Sequence, residues 1–124
     1  YMINEGAYRT VLSIFKEQAE KGEVFTVTGD GTQRRDFTHV KDIVDAMILC
    51  VDKDIYGHTF ELGRGRNYSM NEIAMMFCER LRDIVYIKRP KGEAEVTLCE
   101  NNEAWVKLGW EPKRSVEDWI NENK

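Results

Sequence analysis

Several ingredients are scarce in this 124-residue sequence, and each scarcity removes a class of function. Cys50, Cys78 and Cys99 are odd in number and widely spaced, and none stands in a C-x-x-C pair. With only His39 and His58 beside them, no cluster of metal-ligand spacing can be drawn, so no metal is expected. Cys50 and Cys78 fall inside apolar helical stretches and read as core thiols, which suits a reducing, cytoplasmic setting. No apolar run approaches the ~20 residues that cross a bilayer, and no signal peptide is visible, so no membrane partner is expected. Positive charge is in deficit: the net charge is −4 with a pI near 5.3, against a general binder of nucleic acid or anionic membrane. Chemical motifs are missing too. No G-x-G-x-x-G opens a helix after a strand, and there is no phosphate-binding G-x-x-x-x-G-K-[ST] and no G-x-S-x-G elbow. No tyrosine is followed four residues later by lysine.

What remains is the pattern of one ordinary globular domain or part of one, with 42% hydrophobic and 32% charged residues. Residues 8–20 place Val11, Leu12, Phe15 and Ala19 at helical spacing, ending at Gly22. Glu23–Thr28 reads as a short strand. Val40, Ile43, Val44, Met47, Ile48 and Val51 share one face of a second helix and predict a broad buried stripe. Thr59–Leu62 reads as another strand, ending at Gly63. Ser69-Met70-Asn71-Glu72 has the form of a capping box, and its helix carries Met70, Ile73, Ala74, Phe77 and Leu81 on one face. Ile84–Ile87 is a third strand, and Val96 and Leu98 suit a short extended piece. A helix near Asn102–Leu108 stops at Gly109, with Trp110 folding back on it. Ser115 and Asp118 open a last short helix with Val116, Trp119 and Ile120 inward. Helices alternating with short strands predict an α/β fold without repeats.

Basic residues gather at Arg34-Arg35, Arg64-x-Arg66 and Lys88-Arg89-x-Lys91. Small basic patches in an acidic chain suit a small anionic ligand or, equally, solvated loops. Gly29-Asp30-Gly31 is a tight turn, because glycine reaches φ > 0 cheaply and Asp bonds the turn backbone. In the extended segment after it, Arg34 and Arg35 leave on opposite faces, so one can point inward. Arg35 and Arg89 each follow a strand, and ligands of open α/β sheets gather beyond the carboxyl ends of strands. Two guanidinium forks on one diphosphate would each supply charge-assisted hydrogen bonds of roughly 1.5–3 kcal/mol. Glu93, four residues past Arg89, would oppose phosphate but accept well from sugar hydroxyls. The combination suits a nucleoside diphosphate sugar; a turn with two solvated arginines fits the local pattern as well.

Five blocks occur in sequence: Gly6-Ala7-Tyr8-x-x-Val11, Thr28-Gly29-Asp30-Gly31-x-Gln33-x-Arg35-Asp36-Phe37-x-x-Val40-x-Asp42, Leu62-Gly63-x-Gly65-x-x-Tyr68-Ser69-x-x-Glu72, Arg89-Pro90-x-Gly92-Glu93 and Leu108-Gly109-Trp110-x-Pro112. In order and approximate spacing they resemble the C-terminal half of the extended short-chain dehydrogenase/reductase family, the NAD-dependent nucleotide-sugar epimerases and dehydratases. The resemblance covers essentially the whole chain and implies that residues 1–124 form the nucleotide-sugar-binding C-terminal domain, with the N-terminal Rossmann part absent. It implies that Arg35 and Arg89 bind the diphosphate and Glu93 a ribose hydroxyl. The strand holding Thr26 would lie along the nucleobase, with Val11 touching the nucleotide from the other side. His39 is read as structural.

The resemblance places the family's NAD-binding glycine turn and catalytic Tyr-x-x-x-Lys pair upstream, so no catalytic or cofactor-binding residue is assigned here. It implies NAD in the intact enzyme and none on this chain alone. It implies a UDP-, GDP- or dTDP-linked sugar as ligand. It also implies a Rossmann domain as partner, with Thr59–Leu62 in that domain's sheet. An exposed apolar patch is expected, or an oligomer contact, such as a homodimer's, covering one. The alternative is a free-standing, non-catalytic nucleotide-sugar-binding module; what the reading frame encodes before Tyr1 separates the two.

Overall fold

The computed structural model describes residues 10–51, 53–78 and 83–124. The chain runs α1 (Val11–Lys21), β1 (Phe25–Thr28), β2 (Arg34–Arg35), α2 (Val40–Val51), β3 (Tyr68–Ser69), α3 (Met70–Phe77), β4 (Ile84–Ile87), a π-helix (Ala104–Leu108) and α4 (Val116–Asn123). The expected α/β alternation of short strands and helices is therefore present. The Gly6-Ala7-Tyr8 block and Leu81 lie outside the described residues.

Local chemistry sets the element ends. Thr10 caps α1 by accepting from the Ser13 amide, and Gly22 closes it in the left-handed conformation at φ 65°. Ser69 and Glu72 form the reciprocal capping box of α3. Ser115 caps α4 through the Asp118 amide. The stretch expected as a helix over 102–108 is wound as a π-helix and closed by Gly109 at φ 66°.

β1 and β4 pair in parallel, Phe25 opposite Ile84 and Thr28 opposite Ile87. Phe25 and Val27 point inward while Thr26 and Thr28 share the other face. The main core joins them to Phe15, Tyr68, Met70, Ile73, Ala74, Val116 and Ile120. Phe15 meets Phe25 and Phe77 edge-on, with ring centroids 5.6 and 6.0 Å away. A smaller cluster of Ala46, Ala104, Leu108 and Trp110 packs α2 against the π-helix, Trp110 folding back as expected. β2 lies antiparallel to β3, Arg34 opposite Ser69. Val96 bridges to the other side of Arg34, the short extended piece read from the sequence.

Two expectations fail. The apolar stripe of α2 is not buried: Met47 is 61%, Ile48 60% and Val51 79% exposed, and Val40 and Val44 are also open. The helix turns Asp42 and Ala46 inward instead. Periodicity identifies an apolar face, but burial needs a second surface, and the described residues supply one only for the opposite side of the helix. Thr59–Leu62 is not a strand: it runs without regular structure and has no strand partner among the described residues. A strand exists only through its neighbour's hydrogen bonds, which no local pattern supplies.

Candidate functional site

Parallel pairing of β1 with β4 makes both strands end side by side, so the segments that follow them emerge at one edge. The Gly29 amide donates to the Ile87 carbonyl at 2.8 Å, extending the ladder one step. Gly29, at φ 65°, lets the Arg89 stem cross its face; a Cβ there would lie 3.4 Å from Arg89 Cδ. Gly31, at φ 76°, is more confined, since a Cβ would fall 2.0 Å from Asn71 Oδ1. Asn71 donates to the Asp30 carbonyl at 3.0 Å and locks this turn to α3.

From this turn Arg34 and Arg35 diverge, as their alternate placement requires. Arg34 reaches the α3 side, donating to Asn67 Oδ1 at 2.9 Å and to Glu72 at 3.1 Å. Arg35 turns to the β4 side, where its Nη2 stands 3.6 Å from Glu93 Oε1. Arg89 meets the other oxygen of the same carboxylate, Nε to Oε2 at 3.2 Å. Thr28 Oγ1 lies 3.3 Å from Glu93 Oε2, and Gln33 Nε2 lies 3.4 Å from Oε1. Arg35, Arg89 and Glu93 thus share one cluster, and all three are partly sheltered, with side-chain exposures of 23%, 27% and 22%.

The remaining candidates stand apart. Thr26 faces the same side of β1 as Thr28, and the side chain of Gln18 on α1 bonds both its amide and its hydroxyl. Val11, in the first turn of α1, packs half-buried against the core outside the arginine cluster. His39 accepts from the Lys41 amide at the entry of α2, a structural contact. Sequence reasoning missed Gln33 as a member: it is 1% exposed, donates to the Thr28 carbonyl at 2.9 Å, and its Oε1 has no partner among the described residues. It also missed Glu95, whose carboxylate takes Arg89 Nη1 at 2.6 Å. Nothing in the spacing of Arg89 and Glu95 distinguishes that pair from surface charge.

Asp36, beside Arg35, fixes the cluster's flank. Its carboxylate accepts from three backbone amides, Arg64 and Gly65 at 3.0 Å and Cys99 at 3.1 Å. Asp30 accepts from the Thr32 hydroxyl and amide, which hold its carboxyl below the ordinary value of 3.8. An open groove of about 510 Å³, lined by Gly63, Arg64, Leu98, Cys99, Trp105 and Trp110 among others, contains none of the cluster residues. Among the described residues no group of three metal-binding side chains converges, and no helix is long and apolar enough to cross a membrane. The glycine-turn arrangement that holds a dinucleotide does not occur among the described residues. β1 passes through Gly29–Gly31 into β2 and β4 passes into the Arg89 loop, so neither strand leads through a glycine turn into a helix N-terminus.

Residues 3–63 match the model of the NAD dependent epimerase/dehydratase family. A UDP-glucuronate 4-epimerase of Thermodesulfobacterium geofontis is 32% identical over 118 residues, which cover 91% of this chain and 34% of the relative. Among solved structures, UDP-glucose 4-epimerase of Thermotoga maritima with UDP-glucose superposes with a TM-score of 0.88 at 30% identity, covering 98% of this chain and 40% of that one. MoeE5, in complex with UDP-glucose and NAD, gives a TM-score of 0.80 at 26% identity, covering 96% and 42%. The chain spans between about a quarter and a third of the length of the curated relatives it matches.

Proposed function

We propose that this chain, a relative of the NAD-dependent nucleotide-sugar epimerases and dehydratases, grips the nucleotide and diphosphate of a nucleotide sugar as the C-terminal substrate-binding part of such an enzyme. The observation that carries the reading is the meeting of Arg35 and Arg89 on opposite oxygens of one carboxylate. Two guanidinium groups close enough to share Glu93 are close enough to share a diphosphate, whose oxygens offer the same acceptors with more charge. Thr28 and Gln33 keep Glu93 beside the arginines, where it would accept from a ribose hydroxyl. Thr26 and Val11 would border the nucleobase.

The role is binding and orientation; proton and hydride transfer would fall to the family's upstream Rossmann part, with NAD as cofactor. The outward apolar face of α2 and the unpaired segment at Thr59–Leu62 support such a partner domain, which would cover one and add strands to the other. UDP-linked sugars head the candidates, since the relatives named above carry UDP sugars in their names; GDP- and dTDP-sugars are the comparison ligands.

Calorimetric titration with UDP-, GDP- and dTDP-glucose tests the reading. Binding of one of them is expected, weakened about thirtyfold by Arg35→Ala, since one phosphate clamp is worth ~2 kcal/mol. An affinity unchanged by Arg35→Ala and by Arg89→Ala would overturn it.

A further inference from the structure

Arg35 and Arg89 differ in how far they are already occupied. Apart from its ion pair with Glu93, Arg35 donates to the Arg34 carbonyl at 2.8 Å. Arg89 is wrapped by its own loop. A guanidinium has five N–H groups, and the loop accepts four from Arg89. Nε bonds Glu93 Oε2, Nη2 bonds the carbonyls of Glu93 and Ala94 at 3.1 and 3.2 Å, and Nη1 bonds Glu95 Oε1 at 2.6 Å. Only the last of these lies on a side chain facing solvent, for the Glu95 side chain is 75% exposed.

We infer that Glu95 is a built-in competitor for phosphate at Arg89, holding on Nη1 the place a diphosphate oxygen would take. The inference rests on the diphosphate reading above. With Glu93 and Glu95 both paired to Arg35 and Arg89, the cluster is formally neutral, and of the five N–H groups of Arg89 one, on Nη1, has no acceptor among the described residues. When Glu95 swings into water, both N–H groups of Nη1 open and the cluster gains one positive charge. The carbonyls of Glu93 and Ala94 keep the guanidinium aimed meanwhile. The backbone at 95 need not move: its carbonyl accepts from the Arg34 amide at 2.8 Å whatever its side chain does. Glu95 therefore sets affinity by the ease with which its carboxylate leaves.

Titration of the wild-type chain and Glu95→Gln with UDP and with uridine tests this. An exposed ion pair is weak, so removing it should tighten UDP binding about two- to fivefold. Uridine, which has no phosphate, should bind both proteins alike, and the urea midpoint of Glu95→Gln should fall only slightly, as the loss of one weak exposed pair requires. UDP affinity that falls or stays level in Glu95→Gln, while Arg89→Ala still weakens it, would overturn the competitor and leave the diphosphate reading standing. UDP affinity indifferent to Arg35→Ala and Arg89→Ala in both backgrounds would overturn the two together.

Discussion

Asp42 and Glu93 are both carboxylates paired with arginine, yet their surroundings are of opposite kinds. Asp42 is fully buried. It accepts from the backbone amides of Lys113 and Arg114 at 3.2 and 3.0 Å and from Arg114 Nη1 at 2.6 Å. Its own carbonyl takes the Trp110 indole at 2.7 Å. The result ties α2 to the segment leading into α4. Among the described residues the Glu93 carboxylate is bonded only by side chains, those of Thr28, Gln33 and Arg89, with Arg35 as ion-pair partner. Backbone amides cannot turn away without unfolding a segment, whereas side chains can exchange one acceptor for another. An arginine–carboxylate pair by itself therefore says little about ligands. What separates scaffold from site is whether the partners are free to trade.

The largest expected effect lies on the scaffold side. Asp42→Asn should cost about 3 kcal/mol in urea unfolding, because buried donors lose a charged acceptor; a loss under about 1 kcal/mol would erase the contrast with Glu93. Gly31→Ala comes next. With φ at 76° and Asn71 Oδ1 in the way, it should cost about 2 kcal/mol and shift Arg35, so both the melting temperature and UDP affinity should fall. Glu93→Gln should lower stability by no more than about 1 kcal/mol, as befits a half-sheltered, exchangeable pair. A cost equal to that of Asp42→Asn would make Glu93 a structural lock instead.

The smallest effect concerns Asp30. Its folded carboxyl ionises below 3.8 while the unfolded one ionises near it. The stability it adds is therefore complete above about pH 4 and is lost as pH falls through the lowered value. The difference in melting temperature between wild type and Asp30→Asn should shrink as pH falls below about 4; a gap that widens on acidification would reverse the sign.

Much of the local structure was legible because its causes are local. The Ser69–Glu72 capping box, the Gly22 and Gly109 closures and the Ser115 cap involve residues at most six apart, and all are present. The candidates Arg35, Arg89 and Glu93 could be named from strand-following loops and a family resemblance. Their shared cluster, however, depends on β1 pairing with β4, a contact between residues nearly sixty positions apart. Gln33 was missed as a member for the same reason, its contact with Glu93 spanning sixty positions, whereas Glu95 was missed because a carboxylate six residues past Arg89 looks like any surface charge. The α2 stripe and Thr59–Leu62 show the limit from the other side: an apolar period and a strand-like run each declare a need for a partner without saying whether the chain supplies one.

The sequence by itself determined several helix caps and closures, the α/β class and the kinds of group available to bind an anion, because capping, turn chemistry and periodicity act over a few residues. Only the tertiary structure decided which carboxylate is locked and which is exchangeable, and which arginines stand together. Those outcomes depend on burial and on the donors that distant segments bring to one place.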